Sequence, residues 1–168
     1  MTVVVTGVSG SGKTTIGTLL AEALNCRFVD ADVLHSEQNI DKMRRGTPLT
    51  DVDRAPWLAA INAVMLESVA RDEDLVVGCS ALKQRYRTQL AHGLSIRWVY
   101  LKGSVELIGN RLRRRTNHFM HADMLASQFD ALEEPSDAFV VDVSAPTIAI
   151  VQSILAQLRA PHHPGNPV

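Results

Sequence analysis

The segment from Val3 to Leu24, VVVTGVSGSGKTTIGTLLAEAL, constrains the fold of this chain more than any other part of its sequence. Its three consecutive valines are typical of a strand that is covered on both faces, as in a parallel sheet. Glycines follow the strand, and a helical pattern of apolar residues follows the glycines: Ile16, Leu19, Leu20, Ala23 and Leu24. The segment therefore predicts a strand, a tight turn and a helix in direct succession, which is how an α/β fold begins.

The turn between this strand and helix matches the pattern G-x-x-x-x-G-K-[ST] in full. Its glycines let backbone N–H groups point at phosphate oxygens, and the following helix adds the positive end of its dipole. The lysine of such a loop reaches the β- and γ-phosphates, and the next hydroxyl binds Mg²⁺. We therefore predict a nucleotide site made of Gly7, Ser9, Gly10, Ser11, Gly12, Lys13, Thr14 and Thr15, with Lys13 also catalytic and Thr14 a metal ligand.

Strand-like and helical patterns alternate along the rest of the chain. Further strands are predicted over Arg27–Asp32, Leu75–Ser80, Ile96–Gly103 and Ala138–Val143. Long helices are predicted over Asp53–Ala70, with Pro56 tolerated in its first turn, and over Pro146–Arg159. The alternation indicates an α/β fold with a mainly parallel sheet. We predict one domain over residues 1–160 and a loose, proline-rich tail over residues 161–168.

Composition limits the classes of partner that this chain is expected to have. The formal net charge is −1, whereas a general nucleic-acid binder normally carries a basic excess. No apolar segment approaches the ~20 residues that span a bilayer, and two cysteines are too few for a disulfide framework. We expect a cytoplasmic protein that binds neither nucleic acid nor membrane.

Three classes of protein use such a loop: GTPase switches, large ATPases and small kinases. A GTPase carries an Asn-Lys-x-Asp motif late in the chain, which this sequence lacks, and the third predicted strand ends in VVGCSALK, without the acid of a large ATPase. A small kinase needs instead an acceptor pocket and a lid that excludes water. These observations favour a small kinase.

Two carboxylates, Asp30 and Asp32, come at the end of the second predicted strand. Ligands of open parallel sheets bind beyond the carboxyl ends of the strands, and residues i and i+2 of a strand share one face. One carboxylate can orient Mg²⁺ through water, and the other can accept the proton of an attacking hydroxyl or hold that hydroxyl in line. The alternative is a solvated acidic turn or an N-cap for a helix that begins at Leu34.

A basic segment, RLRRRTNHF, is the candidate lid. Arg111 and Arg115 are four residues apart and share one face of a predicted helix. Guanidinium groups can stack on an adenine ring or stabilise the charge of a transferring phosphoryl group. A basic helix C-terminus followed by solvated turn residues is the alternative.

Four segments together resemble one known family. They are GVSGSGKTTIG, DADVLHSEQNIDKMRRGTPLTDVDRAPWL, CSALKQRYR and RTNHFMHADMLASQFDALEEP. In this order they are similar to the gluconate kinases of the small phosphate-loop type, which are relatives of shikimate kinase and the nucleoside monophosphate kinases. The chain departs from the family pattern at Ala31, Ser36 and His121, where the family usually has glycine, proline and proline.

The resemblance implies transfer of the γ-phosphate of ATP to the 6-hydroxyl of D-gluconate, with Mg²⁺ as cofactor. It implies a P-loop kinase fold of three α/β/α layers, with five parallel strands, a helical lid over about residues 111–130, and a homodimer. Asp32 falls where related kinases hold the acceptor hydroxyl, and Asp30 falls near the metal. Arg111 and Arg115 fall in the lid, where Arg115 is expected to take part in catalysis.

Gluconate carries a carboxylate and a row of hydroxyls, so its pocket needs at least one cation and several polar side chains. The candidate cations are Lys42, Arg45, Arg54 and Lys83, and the candidate partners of hydroxyls are His118 and Gln128. Each cation has a solvated surface charge as its alternative, and His35 is either a ligand contact or a cap of the next helix. For the whole chain, the alternatives are another small-molecule kinase of this fold, acting on shikimate or a nucleotide, and a nucleotide-binding regulator without catalysis.

Overall fold

Five parallel strands form the centre of the computed structural model, which describes residues 1–114 and 122–160. In chain order the strands are β1 Thr2–Thr6, β2 Arg27–Asp30, β3 Leu75–Gly78, β4 Ile96–Lys102 and β5 Phe139–Asp142. They lie side by side in the order β2-β3-β1-β4-β5, and each neighbouring pair is parallel. The prediction of a five-stranded parallel sheet is confirmed.

Helices cover both faces of this sheet in the described part of the chain. They are α1 Lys13–Leu24, α2 Glu37–Arg44, α3 Asp51–Ala70, α4 Gln84–Leu90, α5 Val105–Arg114, α6 Ala122–Asp130 and α7 Thr147–Arg159. The predicted three-layer α/β/α fold is confirmed. None of the helices in residues 1–114 and 122–160 is long and apolar enough to cross a membrane.

The three valines of β1 explain the two layers of helices. Successive side chains of a strand point to opposite faces of the sheet. Val3 and Val5 pack into a core with α1 and α7, whereas Val4 packs into a second core with α3 and α4. All three valines are fully buried. The run is uniformly apolar because both faces of β1 are covered.

The register between β1 and β3 brings two loops together at the carboxyl end of the sheet. Val5 pairs with Gly78, and the N–H of Cys79 donates to the carbonyl of Val5 at 3.0 Å. Just beyond, the hydroxyl of Thr6 donates to the carbonyl of Ser80 at 2.5 Å. The glycine-rich loop after β1 and the SALK segment after β3 are therefore neighbours, although they are distant in sequence.

The second strand ends two residues earlier than predicted. β2 stops at Asp30, and residues Ala31–Leu34 form a 3-10 turn. The Asp30 side chain causes this turn, because its Oδ1 accepts a hydrogen bond of 3.1 Å from the Asp32 N–H. Asp30 and Asp32 are therefore not on one face of a continuous strand, and that part of the prediction is wrong.

The long helix α3 begins at Asp51, two residues before the predicted start. Thr50 and Asp53 form a capping box there: the Asp53 N–H donates to Thr50 Oγ1 at 3.2 Å, and the Thr50 N–H donates to Asp53 Oδ2 at 2.8 Å. Pro56 is then the sixth helical residue and lies beyond the first turn, contrary to the prediction. It leaves the carbonyl of Val52 without its helical donor, and Val52 is 82% exposed, where water can satisfy that carbonyl.

Candidate active site

The glycine-rich loop wraps around the N-terminus of α1. Gly7 has φ +147°, and a Cβ placed there would lie 2.9 Å from the carbonyl oxygen of Leu101. The loop is closed by the Ser11 N–H, which donates to the Val8 carbonyl at 3.2 Å. Lys13 Nζ donates to the same carbonyl, also at 3.2 Å. This folding gathers backbone N–H groups and the lysine around the start of a helix, which is an arrangement that binds phosphate.

A narrow cleft of about 60 Å³ runs along this loop. It is lined by Ser9, Gly10, Gly12, Lys13, Thr14, Thr15 and Asp32. Beside it, Thr14 Oγ1 donates to Asp30 Oδ2 at 2.8 Å. A hydroxyl and a carboxylate are thus held together next to the cleft, and both offer the hard oxygen atoms that Mg²⁺ prefers.

A second cavity, of about 130 Å³, lies beyond the ends of β2 and β3 and is called here the strand-end cavity. Its polar lining includes Lys13, Asp32, His35, Arg54, Ser80 and Gln128. It continues into a side chamber of about 250 Å³, where Lys83 and Tyr86 join Arg54 and Gln128. The structure therefore brings together five of the residues predicted for substrate binding: Asp32, His35, Arg54, Lys83 and Gln128.

Several lining residues were not predicted as ligand contacts. Thr47, Pro48 and Leu49, from the loop between α2 and α3, line the strand-end cavity, and so does Ser127 of α6. They belong to GTPLTDVDR and LASQFD, two of the segments that carry the family resemblance. The only signal for them in the sequence was that position, because hydroxyl and apolar side chains such as theirs occur throughout the chain.

His35 is held against the wall of the strand-end cavity. Its ring stacks on Trp57, with centroids 4.3 Å apart and an interplanar angle of 11°. Trp57 is in turn fixed by its Nε1, which donates to the carbonyl of Ala31 at 2.7 Å. Burial, and secondarily the positive charge of Arg54, lower the pKa of His35 to about 4. The ring is therefore neutral near pH 7 and can both donate and accept a hydrogen bond.

The structure removes one alternative for His35. The cap of α2 is Ser36, whose Oγ accepts a hydrogen bond of 3.2 Å from the N–H of Asn39. Ser36 is a position where the family usually has proline, so this departure supplies a helix cap. His35 is left facing the cavity.

Cations surround one aromatic ring in the side chamber. Arg54 Cζ lies 5.7 Å and Lys83 Nζ 5.9 Å from the centroid of the Tyr86 ring, within the range of a cation–π contact. Arg54 also donates to the carbonyl of Leu49. The hydroxyl of Tyr86 donates to Asp51, which keeps the pKa of that carboxyl below its usual value. The chamber thus presents two positioned positive charges.

Two predicted cations lie elsewhere. Lys42 Nζ donates to Asp53 Oδ1 at 2.7 Å, and this contact is the main reason that the pKa of Asp53 is lowered to about 2. Arg45 is exposed and is the C-cap residue that follows α2. Among the described residues, neither Lys42 nor Arg45 lines the strand-end cavity or its side chamber.

A third cavity, of about 370 Å³, lies between the glycine-rich loop, α1, α5 and α7. It is lined by Gly10, Ser11, Gly12, Thr15, Ile16, Arg111, Arg114, Thr147 and Ile150. Arg111 is held by its Nη2, which donates to the carbonyl of Val143 at 2.5 Å. Arg114 and Thr147 were not predicted, although Arg114 belongs to the same arginine run as Arg111. The predicted residues Arg115 and His118 lie outside the residues that the structure describes.

Comparison with known proteins gives a consistent result. The family model described as shikimate kinase matches residues 9–159. The thermoresistant gluconokinase of Escherichia coli (strain K12) is 39% identical, over 93% of this chain and 92% of its own length. The gluconokinase of Gluconobacter oxydans (strain 621H) is 47% identical, over 80% of this chain and 76% of its own. The crystal structure of a gluconokinase from Sinorhizobium meliloti 1021 superposes with a TM-score of 0.84 at 44% identity, covering 94% of this chain and 90% of that one.

Proposed function

This chain belongs to the family that the shikimate kinase model describes and, within it, to the gluconokinases, and we propose that it transfers the γ-phosphoryl group of ATP to the 6-hydroxyl of D-gluconate. The products are 6-phosphogluconate and ADP. One observation carries this proposal beyond the family relationship: Ser9, Lys13 and Asp32 line both the phosphate-loop cleft and the strand-end cavity. A donor site and an acceptor site therefore meet at these three residues.

On the donor side, the backbone N–H groups of the loop bind the phosphates, and Lys13 neutralises charge on the γ-phosphoryl group as it transfers. The cavity between α1 and α7 takes the adenine and ribose, with Arg111 and Arg114 at its edge. Arg115 follows them in sequence and is proposed to act from the lid. Thr14 and Asp30 offer oxygen ligands that fit Mg²⁺, and the ion supplies charge neutralisation on the β- and γ-phosphates when it is bound.

On the acceptor side, Asp32 accepts the proton of the 6-hydroxyl or holds that hydroxyl in line. The hydroxyl oxygen forms a bond to the γ-phosphorus while the bond from that phosphorus to the bridging oxygen breaks, and ADP departs with the electron pair. Asp32 lines both the strand-end cavity and the phosphate-loop cleft, so both reactants can reach it. Catalysis then depends mainly on positioning and charge neutralisation.

The substrate carboxylate is proposed to bind Arg54, with Lys83 as the second cation. Both line the side chamber, whereas Lys42 is paired with Asp53 and Arg45 is exposed. A guanidinium group binds a carboxylate through two parallel hydrogen bonds, so Arg54 also gives the ligand a direction. The hydroxyls of the sugar acid then meet His35 and Gln128 in the strand-end cavity.

An acceptor panel tests the proposal. ADP release is measured in a coupled assay with D-gluconate, shikimate, AMP and CMP, with and without Mg²⁺. Of the four acceptors, we expect only D-gluconate to give turnover well above the background rate of ATP hydrolysis. Turnover with shikimate or a nucleotide instead would assign a different substrate to this chain. Tight ATP binding without transfer to any acceptor would favour a nucleotide-binding regulator without catalysis.

Two further expectations come from the family. We propose that the protein forms a homodimer and acts in the cytoplasm, where ATP is the donor. Light scattering on a size-exclusion column measures the mass of the particle directly, and a mass near 18.4 kDa would contradict the dimer.

A further inference from the structure

The side chain of Gln128 contacts the phosphate loop as well as the strand-end cavity. Its Oε1 accepts a hydrogen bond of 2.7 Å from the N–H of Ser9. Gln128 is half-buried and lines both the strand-end cavity and the side chamber. Ser9 lines the strand-end cavity and the phosphate-loop cleft. The contact therefore lies at the junction through which a phosphoryl group would pass from donor to acceptor.

An N–H of a phosphate loop is a donor for phosphate oxygen. In this structure the Oε1 of Gln128 accepts the hydrogen bond from that donor at Ser9. The N–H carries one hydrogen, so a terminal phosphate oxygen and Gln128 Oε1 compete for it. When a phosphate oxygen accepts from the Ser9 N–H, the Gln128 amide must move away or rotate. A rotated amide presents its Nε2 donors to that phosphate oxygen.

The segment that follows α6, the helix that carries Gln128, is anchored to the rest of the fold. The N–H of Glu133 donates to the carbonyl of Leu82 at 2.9 Å, and Glu133 Oε2 accepts from the N–H of Gln84 at 2.6 Å. Lys102 Nζ donates to Glu134 at 2.8 Å. These contacts attach the residues after α6 to the loop after β3, to the first residue of α4 and to β4. Rotation of the Gln128 amide is then a side-chain movement next to an anchored segment.

We propose that Gln128 is a positioning residue for the terminal phosphoryl group: its amide caps Ser9 when the site is free of nucleotide and donates to the γ-phosphate when ATP is bound. The inference deepens the proposed function and rests on it for the identity of the donor. ADP has no γ-phosphate, so the contact discriminates ATP from ADP. It also explains the use of an amide, because a carboxylate would accept from Ser9 equally well but could not donate to phosphate.

The test substitutes Gln128→Glu, which keeps the size and the acceptor of the side chain while removing its donors and adding a negative charge. Dissociation constants are measured by calorimetry for ADP and for the non-hydrolysable β,γ-imido analogue of ATP, with Mg²⁺ and without any acceptor. Losing a charge-assisted hydrogen bond should weaken binding of the ATP analogue about tenfold more than binding of ADP. Gln89→Glu, an exposed position on α4, makes the same chemical change elsewhere and should alter neither constant.

The ratio of the two losses decides the outcome. A ratio below about threefold, whether both affinities persist or both fall together, overturns the proposal because it assigns Gln128 a structural role or none. Gln128→Ala is measured in parallel, so that the ratio is still obtained if the glutamate variant does not fold. No acceptor is present in this experiment, so failure of D-gluconate as substrate in the acceptor panel would leave its result unchanged.

Discussion

The hydroxyl of Thr14 donates a hydrogen bond of 2.8 Å to the carboxylate of Asp30, which joins the first turn of α1 to the end of β2. The contact leaves lone pairs of the Thr14 oxygen available and orients the carboxylate beside the phosphate-loop cleft. The two residues are sixteen positions apart in sequence. They meet because α1 packs on β2 and β3. At Gly17 this packing is so close that a Cβ would lie 2.3 Å from the ring of Phe28.

We expect Thr14→Val to raise the Mg²⁺ concentration for half-maximal activity by about tenfold, because valine removes one oxygen ligand and the partner of Asp30. Activity is measured as a function of Mg²⁺ at saturating ATP. Thr14→Ser is the matched control, since it keeps the hydroxyl and should remain near the wild-type value. An unchanged requirement in the valine variant would contradict a metal role for Thr14.

Asp32→Asn should lower kcat by about 100-fold or more, the usual range for a general base, while changing the dissociation constant of ATP by less than about threefold. The amide keeps the shape of the side chain but accepts a proton poorly. Steady-state kinetics and direct nucleotide binding separate the two quantities. Equal losses in both would indicate that Asp32 supports the structure of the loop instead.

Lys13→Ala should abolish transfer, because it removes the positive charge that neutralises the γ-phosphoryl group. A near-normal kcat in steady-state kinetics would contradict this role of Lys13.

Arg54→Met should raise the KM for D-gluconate by about tenfold or more, because it removes the proposed partner of the carboxylate. The KM for ATP should change little, since Arg54 lines the strand-end cavity and not the phosphate-loop cleft. Arg45→Met is the matched control for loss of a nearby cation at an exposed position. If the control variant raises the KM for D-gluconate as much as Arg54→Met does, the assignment of the carboxylate is wrong.

The pKa of His35 predicts how stability depends on pH. Burial lowers this pKa from its ordinary value of 6.5 to about 4 in the folded protein. The contribution of the neutral ring to the free energy of unfolding is therefore complete above pH 6.5. It is lost as the pH falls toward 4, because the unfolded chain binds a proton at a higher pH than the folded protein does. The free energy of unfolding should decrease more steeply over this interval in wild type than in His35→Gln.

Chemical denaturation at several pH values measures that difference. His92→Gln is the control, because His92 is an exposed histidine in the turn after α4. Its pH dependence should follow that of wild type. Parallel curves for wild type and His35→Gln would show that His35 titrates normally.

Part of the fold and part of the candidate site follow from local sequence. The valines of β1, the glycines of the loop and the apolar spacing of α1 each have a short-range physical reason, so the strand, loop and helix were predicted where they occur. The same local reasoning failed at Asp30, because its side chain bonds the backbone two residues later and ends the strand. It failed again at Thr50, whose capping box starts α3 earlier than the apolar pattern does.

A phosphate loop, a parallel α/β sheet and membership of a kinase family could be predicted before the structure, since these depend on spacing along the chain. Which cations line the strand-end cavity is seen only in the folded chain. Lys42 and Arg54 are equally basic in sequence, but Lys42 pairs with Asp53 while Arg54 lines the cavity. Only the fold, too, placed Gln128 on the N–H of Ser9, 119 positions away. Electrostatic pairing and long-range hydrogen bonding depend on which surfaces the packed helices bring together, and spacing along the chain does not encode that.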